Sequence, residues 1–365
     1  MPEFIPALEL NRRFYLECVR PALDRHYPNL PHAAALIGYG SEVLRFDTDM
    51  SMDHNWYPRV YLFLREKEQE LTAPIKELLS RELPHEFLGF SVDTVPAPDE
   101  PGTRWMQNKS GGLVDHMVIP TTLHAFVLDN MSWDISEPLT PVDWLTLPSQ
   151  VLRTITAGAV YFDDIGELTQ IRESLAWYPH DVWLYLMAST WDRIGQEEHL
   201  MPRAGSVGDE PGSAIIGSRV VRDIMSLCFL MEKQYAPYPK WFGSAFRLLA
   251  CAEELTPILW NALQAENWEL REQALVRAYE FLVDKHNGIK ITEPRQTRAS
   301  PFHGRPFKVI HGDSIAHAIS LQVADPEIKR IMEKGLIGGI DQWCDNSEMR
   351  SNISQWRNAL KNIYI

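Results

Sequence analysis

The chain has 365 residues, 45% hydrophobic and 23% charged, with 35 basic against 49 acidic residues and a formal net charge of −14. That length predicts two domains with a sizeable core, and a composition this close to the globular average excludes disordered, collagen-like and membrane-embedded classes. The acidity opposes loose adhesion to nucleic acid or an anionic membrane and suits cationic or metal-complexed ligands.

The opening MPEFIPALEL carries no Lys or Arg before Arg12, so no export signal is expected. Cys18, Cys228, Cys251 and Cys344 form no CxxC pair and read as reduced cysteines of a cytoplasmic protein. Residues 7–26 are helix-like. Strand candidates follow at 33–39, 58–64, 87–95 and 114–127, with a helical stretch at 66–81 between two of them. Residues 95–112, rich in Pro and Gly, read as a long loop. From about 141 the pattern becomes helix after helix: 141–157, 167–177, 179–195, 213–235, 241–265 and 268–286. The expected fold class is therefore α+β, a mixed sheet with flanking helices over residues 1–140 followed by a mainly α domain over 141–365. No apolar stretch reaches the roughly 18 residues of a spanning helix, so no membrane partner is expected.

The acidity is uneven: 12 basic and 22 acidic residues precede position 150, whereas 23 and 27 follow it. One local exception, 285–311, holds Lys285, Lys290, Arg295, Arg298, Arg305 and Lys308 against Glu293. It reads as a solvated connecting loop, the alternative being a phosphate-facing arm.

The passage Ala34 to Leu64 carries the chemistry. An apolar strand runs into Gly38, Tyr39, Gly40 and Ser41, and a dozen residues later Ser51, Met52, Asp53, His54 and Asn55 lead into another apolar strand. Gly40 lets the backbone approach a phosphate, Ser41 adds a hydroxyl and an N–H, and a following helix would aim its N-terminus at the anion. Asp53 and Asn55, two apart, would share one face of a strand and one metal site, with His54 pointing away into packing. Asp47 and Asp49 form a rival pair nearer Ser41.

These residues resemble the nucleotidyltransferase superfamily that includes the kanamycin nucleotidyltransferases and polymerase β. The motifs GYGSE (Gly38 to Glu42), S-x-DH (Ser51 to His54), PRV (Pro58 to Val60), GDE-x-GS (Gly208 to Ser213), APY-x-KW (Ala236 to Trp241) and RPF (Arg305 to Phe307) are similar to those of a bacterial family of nucleotidyltransferase-like proteins with a long C-terminal helical region. The resemblance implies that Gly40 and Ser41 bind the phosphates of an NTP such as ATP, with Arg59 assisting. It further implies a two-metal Mg²⁺ site on Asp53, Asn55 and Asp115, with Asp93 in reserve for Asp115. Asn55 stands where the superfamily has a carboxylate, which lowers the expected metal affinity.

From the helical domain, Asp209 or Glu210 would serve as general base and Lys240 would supply charge to a phosphate. The plainer reading of Asp209 and Glu210 is an acidic helix start. The implied activity is transfer of a nucleoside monophosphate to a hydroxyl of an unidentified small-molecule acceptor, and the acidic charge would favour a cationic one. The alternatives are a nucleotide-binding or sensor protein that has lost turnover, and nucleotidylation of RNA or protein; the net charge weighs against a long nucleic acid.

Overall fold

The computed structural model describes residues 2–365. In chain order, α1 (Ala7–Phe14) runs through a π-helical turn (Tyr15–Val19) into α2 (Arg20–His26), and β1 (His32–Leu36), β2 (Arg59–Leu64) and α3 (Thr72–Glu82) follow. Short strands come next: β3 (Glu86–Phe87), β4 (Phe90–Ser91), β5 (Thr94–Pro96) and β6 (Arg104–Met106). After them come β7 (Met117–Thr122), α4 (Leu123–Met131), α5 (Pro141–Leu145), α6 (Ser149–Thr156), β8 (Ala159–Asp163) and α7 (Glu167–Ser174). The rest is helical apart from two two-residue strands: α8 (His180–Glu197), α9 (Leu200–Gly205), α10 (Glu210–Met231), α11 (Pro239–Phe246), α12 (Ala252–Gln264), α13 (Trp268–Ile289) and α14 (Gly312–Ser320), then four short helices.

The chain forms two compact units. The first takes residues up to Pro138 together with Val151–Ala176 and Asn352–Gln355; the second takes Leu139–Gln150, Trp177–Ser351 and Trp356–Ile365. The fold is α+β, with a mixed four-stranded sheet in the first unit and a largely helical remainder.

The sheet order is β7-β2-β1-β8. β1 runs antiparallel to β2 and to β8, whereas β2 and β7 are parallel, with Arg59 opposite Met117. A parallel pair needs a crossover, and α3 supplies it and packs on β7. The all-buried β1, His-Ala-Ala-Ala-Leu, offers only small side chains at its centre. Leu10, Phe14 and Val19 join Val60, Leu62, Ile75, Leu79 and Val118 in the core of this unit.

Two expected strands are shorter than their apolar runs. The 114–127 run ends as a strand at Thr122, whose hydroxyl accepts the Ala125 N–H and caps α4. The 87–95 run breaks at Leu88 and Gly89, both at positive φ, which turn β3 back on β4. The loop expected over 95–112 closes at its base as the β5–β6 ribbon. β8, past residue 140, pairs with β1 and so belongs to the first unit's sheet.

In the second unit α8 packs against α14 and α10, and α12 against α13. α8 and α14 meet at Gly195, where an added Cβ would lie 2.5 Å from the Asp313 nitrogen. The basic segment is tied down: Lys285 pairs with Glu232 at 2.8 Å and Arg298 with Glu280 at 2.7 Å. Arg295 exchanges backbone hydrogen bonds with the Asn287 amide and donates to Ser314. Among the described residues no helix is long and apolar enough to cross a membrane.

Candidate functional site

Strand directions gather the motif. β1 is antiparallel to β2, so its C-terminal end lies beside the start of β2, and β7, parallel to β2, begins at that same end. The Gly38–Ser41 turn, the Asp53–Tyr57 approach and Asp115 therefore all leave one end of one sheet.

The turn is built around glycine. Gly38 (φ 86°) donates its N–H to the Thr154 carbonyl, and Gly40 (φ 121°) leaves room for the Glu42 carboxylate, which an added Cβ would overlap. The Ser41 carbonyl accepts the Leu44 and Phe46 N–H groups, and Arg45 sits at φ 63°, so the chain makes a single closed turn. The anion-directed helix expected to start after Ser41 does not form, because the chain folds back to bury Glu42 instead.

Glu42 and Arg59 form the electrostatic centre of this end. Arg59 Nη2 donates to Glu42 Oε1 at 2.6 Å and to the Tyr39 carbonyl at 2.7 Å, and the Arg59 N–H donates to Asn11 Oδ1. Both side chains are almost wholly out of water. Burial disfavours the Arg59 charge, but Glu42 and then Tyr39 outweigh it and hold the guanidinium protonated. Burial likewise pushes the Glu42 carboxyl up, against the pull of Arg59. Arg59, expected to reach a phosphate, is thus in the closed turn a buried strut that ties PRV to GYGSE.

Asp53 and Asn55 do not lie on a strand. Asp53 ends a 3₁₀ turn (Asp49–Asp53) that opens with a Thr48–Ser51 capping box. Its exposed carboxylate accepts the His54 N–H and lies 2.9 Å from His54 Nδ1, so His54 is half-exposed beside it instead of packed away. Asn55, at φ 51°, exchanges two 2.9 Å hydrogen bonds with the Arg104 backbone. Asn tolerates that left-handed conformation, and its amide oxygen is drawn toward β6. Asp47 is structural: its carboxylate accepts the Ala7 N–H and the Trp56 indole N–H.

Asp115 stands just before β7, and β7 itself, Met-Val-Ile-Pro-Thr-Thr, contains no carboxylate. The Asp115 carboxylate lies 3.0 Å from Lys109 Nζ, and its carbonyl accepts the Thr94 N–H. Asp93 is fully buried; it accepts the Asp115 N–H at 2.8 Å and sits 2.6 Å from His85 Nδ1, which makes it a support for Asp115. Arg104 links the two halves, its N–H bonded to Asn55 and its Nε to Thr94, the neighbour of Asp115. His116 is buried against the Lys76 carbonyl.

This donor set falls short of a two-metal site. Asn55 is neutral, Asp115 is matched by Lys109, β7 offers no acid, and among the described residues no group of three His, Cys, Asp or Glu could hold a metal ion.

The helical candidates lie in the second unit. Asp209 caps α10 by accepting the Gly212 N–H. Glu210 spends one oxygen on the Trp268 N–H at 3.0 Å and the other on Arg271 at 3.3 Å, and Arg271, itself buried, donates to Ser213 at 2.7 Å. The GDE-x-GS motif thus locks α10 to the start of α13. Lys240 is the second residue of α11, with Nζ 5.1 Å from the Trp241 ring centre, and it lines a surface groove with Arg247 and Trp260. Sequence reasoning gave Glu42 no role; the signal was an acid two places after Gly40 and an Arg inside the PRV motif.

Residues 144–242 match the model of a family described as a domain of unknown function (DUF4037). Among solved structures the chain is similar to a nucleotidyltransferase-like protein from Exiguobacterium sibiricum, at 12% identity and a TM-score of 0.35, over 87% of this chain and 89% of that one. No curated protein matches the chain.

Proposed function

We propose that the first unit binds the triphosphate of a nucleotide at the Gly40–Ser41 end of its sheet, and that it does so without efficient metal-dependent transfer. The observation that carries this reading is the convergence of the glycine turn, Asp53, Asn55 and Asp115 at one sheet end, combined with a donor set too poor in charge for two metals. Gly40 and Ser41 offer close backbone approach and a hydroxyl to phosphate oxygens. The residues expected to bridge those oxygens through Mg²⁺ hold backbone and side-chain partners instead.

Titration calorimetry with ATP, GTP, CTP and UTP, with and without Mg²⁺, tests it. The expected result is nucleotide binding that Mg²⁺ changes less than about threefold, with no pyrophosphate release, and a gain in Mg²⁺ dependence for Asn55→Asp. Steady pyrophosphate release by the Asn55 protein with a small aminated alcohol as acceptor would overturn the binding-only reading in favour of the transferase. The transferase reading draws on one observation, the exposed carboxylate of Asp53.

A further inference from the structure

The second unit encloses a cavity of about 60 Å³ whose walls come from that unit alone. Most of its wall falls within 144–242, the segment that matches the DUF4037 model, and residues 339–342 close the remaining side. Trp144, Tyr178, Phe229 and Tyr235 make the wall aromatic. The Tyr178 ring packs edge-on against Trp144 and Tyr235, with ring centres 5.9 and 5.0 Å away, which fixes its position. Tyr178 is 7% exposed, yet its hydroxyl makes no hydrogen bond to the described residues; burial, then Asp341, keeps the phenol protonated. Asp223, 4% exposed, also lines the cavity. Its Oδ2 accepts from Arg193 Nε at 2.7 Å, whereas Oδ1 has only Arg222 Nε at 4.0 Å, too far for a hydrogen bond. Burial pushes this carboxyl up, against the pull of Arg193. Buried polar atoms without partners cost folding free energy, and two that line one cavity mark where a ligand would bond.

We propose that this cavity binds a small aliphatic ammonium ion, its head on Asp223 Oδ1 and the Tyr178 hydroxyl and its alkyl body against the aromatic wall. Charge selects the head group: two carboxylates, Asp223 and Asp341, line the cavity and no Lys, Arg or His does. Aromatic faces add attraction for a cation, and Ser226, which spends its proton on the Arg222 carbonyl, adds a further acceptor. Size selects the body, because the cavity has room for about four to six water-sized atoms, too few for a sugar ring or a nucleobase. The site lies wholly in the second unit and does not rest on the nucleotide reading of the first.

The test is ligand-observed NMR titration of the full chain with isobutylamine, protonated at neutral pH, and with two analogues of similar size, isobutanol and isobutyrate. Isobutylammonium should bind saturably, about tenfold more tightly than isobutanol, because its hydrogen bond to Asp223 is charge-assisted, and isobutyrate should not bind. Tyr178→Phe should weaken isobutylammonium about fivefold with an unchanged melting temperature, because the hydroxyl holds nothing in the fold. Asp223→Asn should abolish the preference for the amine over the alcohol. Should that variant fail to fold once Arg193 loses its partner, the three ligands and Tyr178→Phe decide alone. Absence of saturable isobutylammonium binding, equal affinity for isobutanol, or an affinity that Tyr178→Phe leaves unmoved overturns the site.

Discussion

Glu42 and Arg59 face each other at 2.6 Å with side chains 6% and 1% exposed. Removing one partner of such a pair leaves an uncompensated buried charge, at a cost of roughly 3–5 kcal/mol, whereas replacing both by apolar residues is far cheaper. Arg59→Met and Glu42→Leu should each lower the urea midpoint sharply, and the double variant should recover most of the loss. Additive losses would show that the two residues act separately.

Gly40→Ala confronts both a φ of 121° and the Glu42 carboxylate. The strain should cost about 1–3 kcal/mol. Because the turn itself is displaced, nucleotide affinity measured by calorimetry should fall as well. Gly208, also at positive φ but with open space around its Cβ position, is the control: Gly208→Ala should cost less and leave nucleotide affinity unchanged.

Glu210→Ala should lower the melting temperature, by a loss on the order of 1–2 kcal/mol, since it strands the buried Arg271 and frees the Trp268 N–H. Nucleotide binding to the first unit should stay as it was. A loss of affinity without a loss of stability would instead place Glu210 at the ligand.

Stability against pH should hide two opposed slopes. Burial pushes the Glu198 carboxyl up from 4.5 to about 7, despite N–H donors from Ile310 and Gly312. Its folded value exceeds the unfolded one, so its contribution is complete below about 4.5 and disappears as pH rises through about 7. Burial, with Arg295 adding to it, pushes His286 down from 6.5 to about 4. Its contribution is complete above 6.5 and disappears as pH falls through about 4. Each is worth about 3 kcal/mol, with opposite sign over the same window. Chemical denaturation from pH 4.5 to 6.5 should show little net slope from this pair. Glu198→Gln should expose rising stability with pH and gain stability at about pH 8, while His286→Phe should expose the falling arm.

Much of the fold was legible because periodicity reports burial. β1, β2 and the long helices α8, α10 and α13 appear where their apolar patterns place them. β8 was missed because Ala-Val-Tyr-Phe-Asp is only five residues long and sits among helices. The site was harder, since its geometry depends on non-local partners. The placement of Asp53 and Asn55 on a strand assumed two-residue alternation, whereas the Thr48–Ser51 capping box and the Arg104 backbone fold that stretch into turns. Likewise a glycine turn before a run of Glu-Val-Leu-Arg reads as a helix start, until Arg59, supplied by the next strand of the sheet, draws Glu42 inward.

The return of β8 to β1 has a practical meaning for anyone who would separate the units. The chain passes between them five times, at 138/139, 150/151, 176/177, 351/352 and 355/356. A fragment cut at residue 140 would leave the whole β1 edge unpaired, an open template for another strand, and should aggregate when expressed alone. On the ribosome, the first sheet cannot close until Asp163 has emerged, by which time part of the helical unit has already been made.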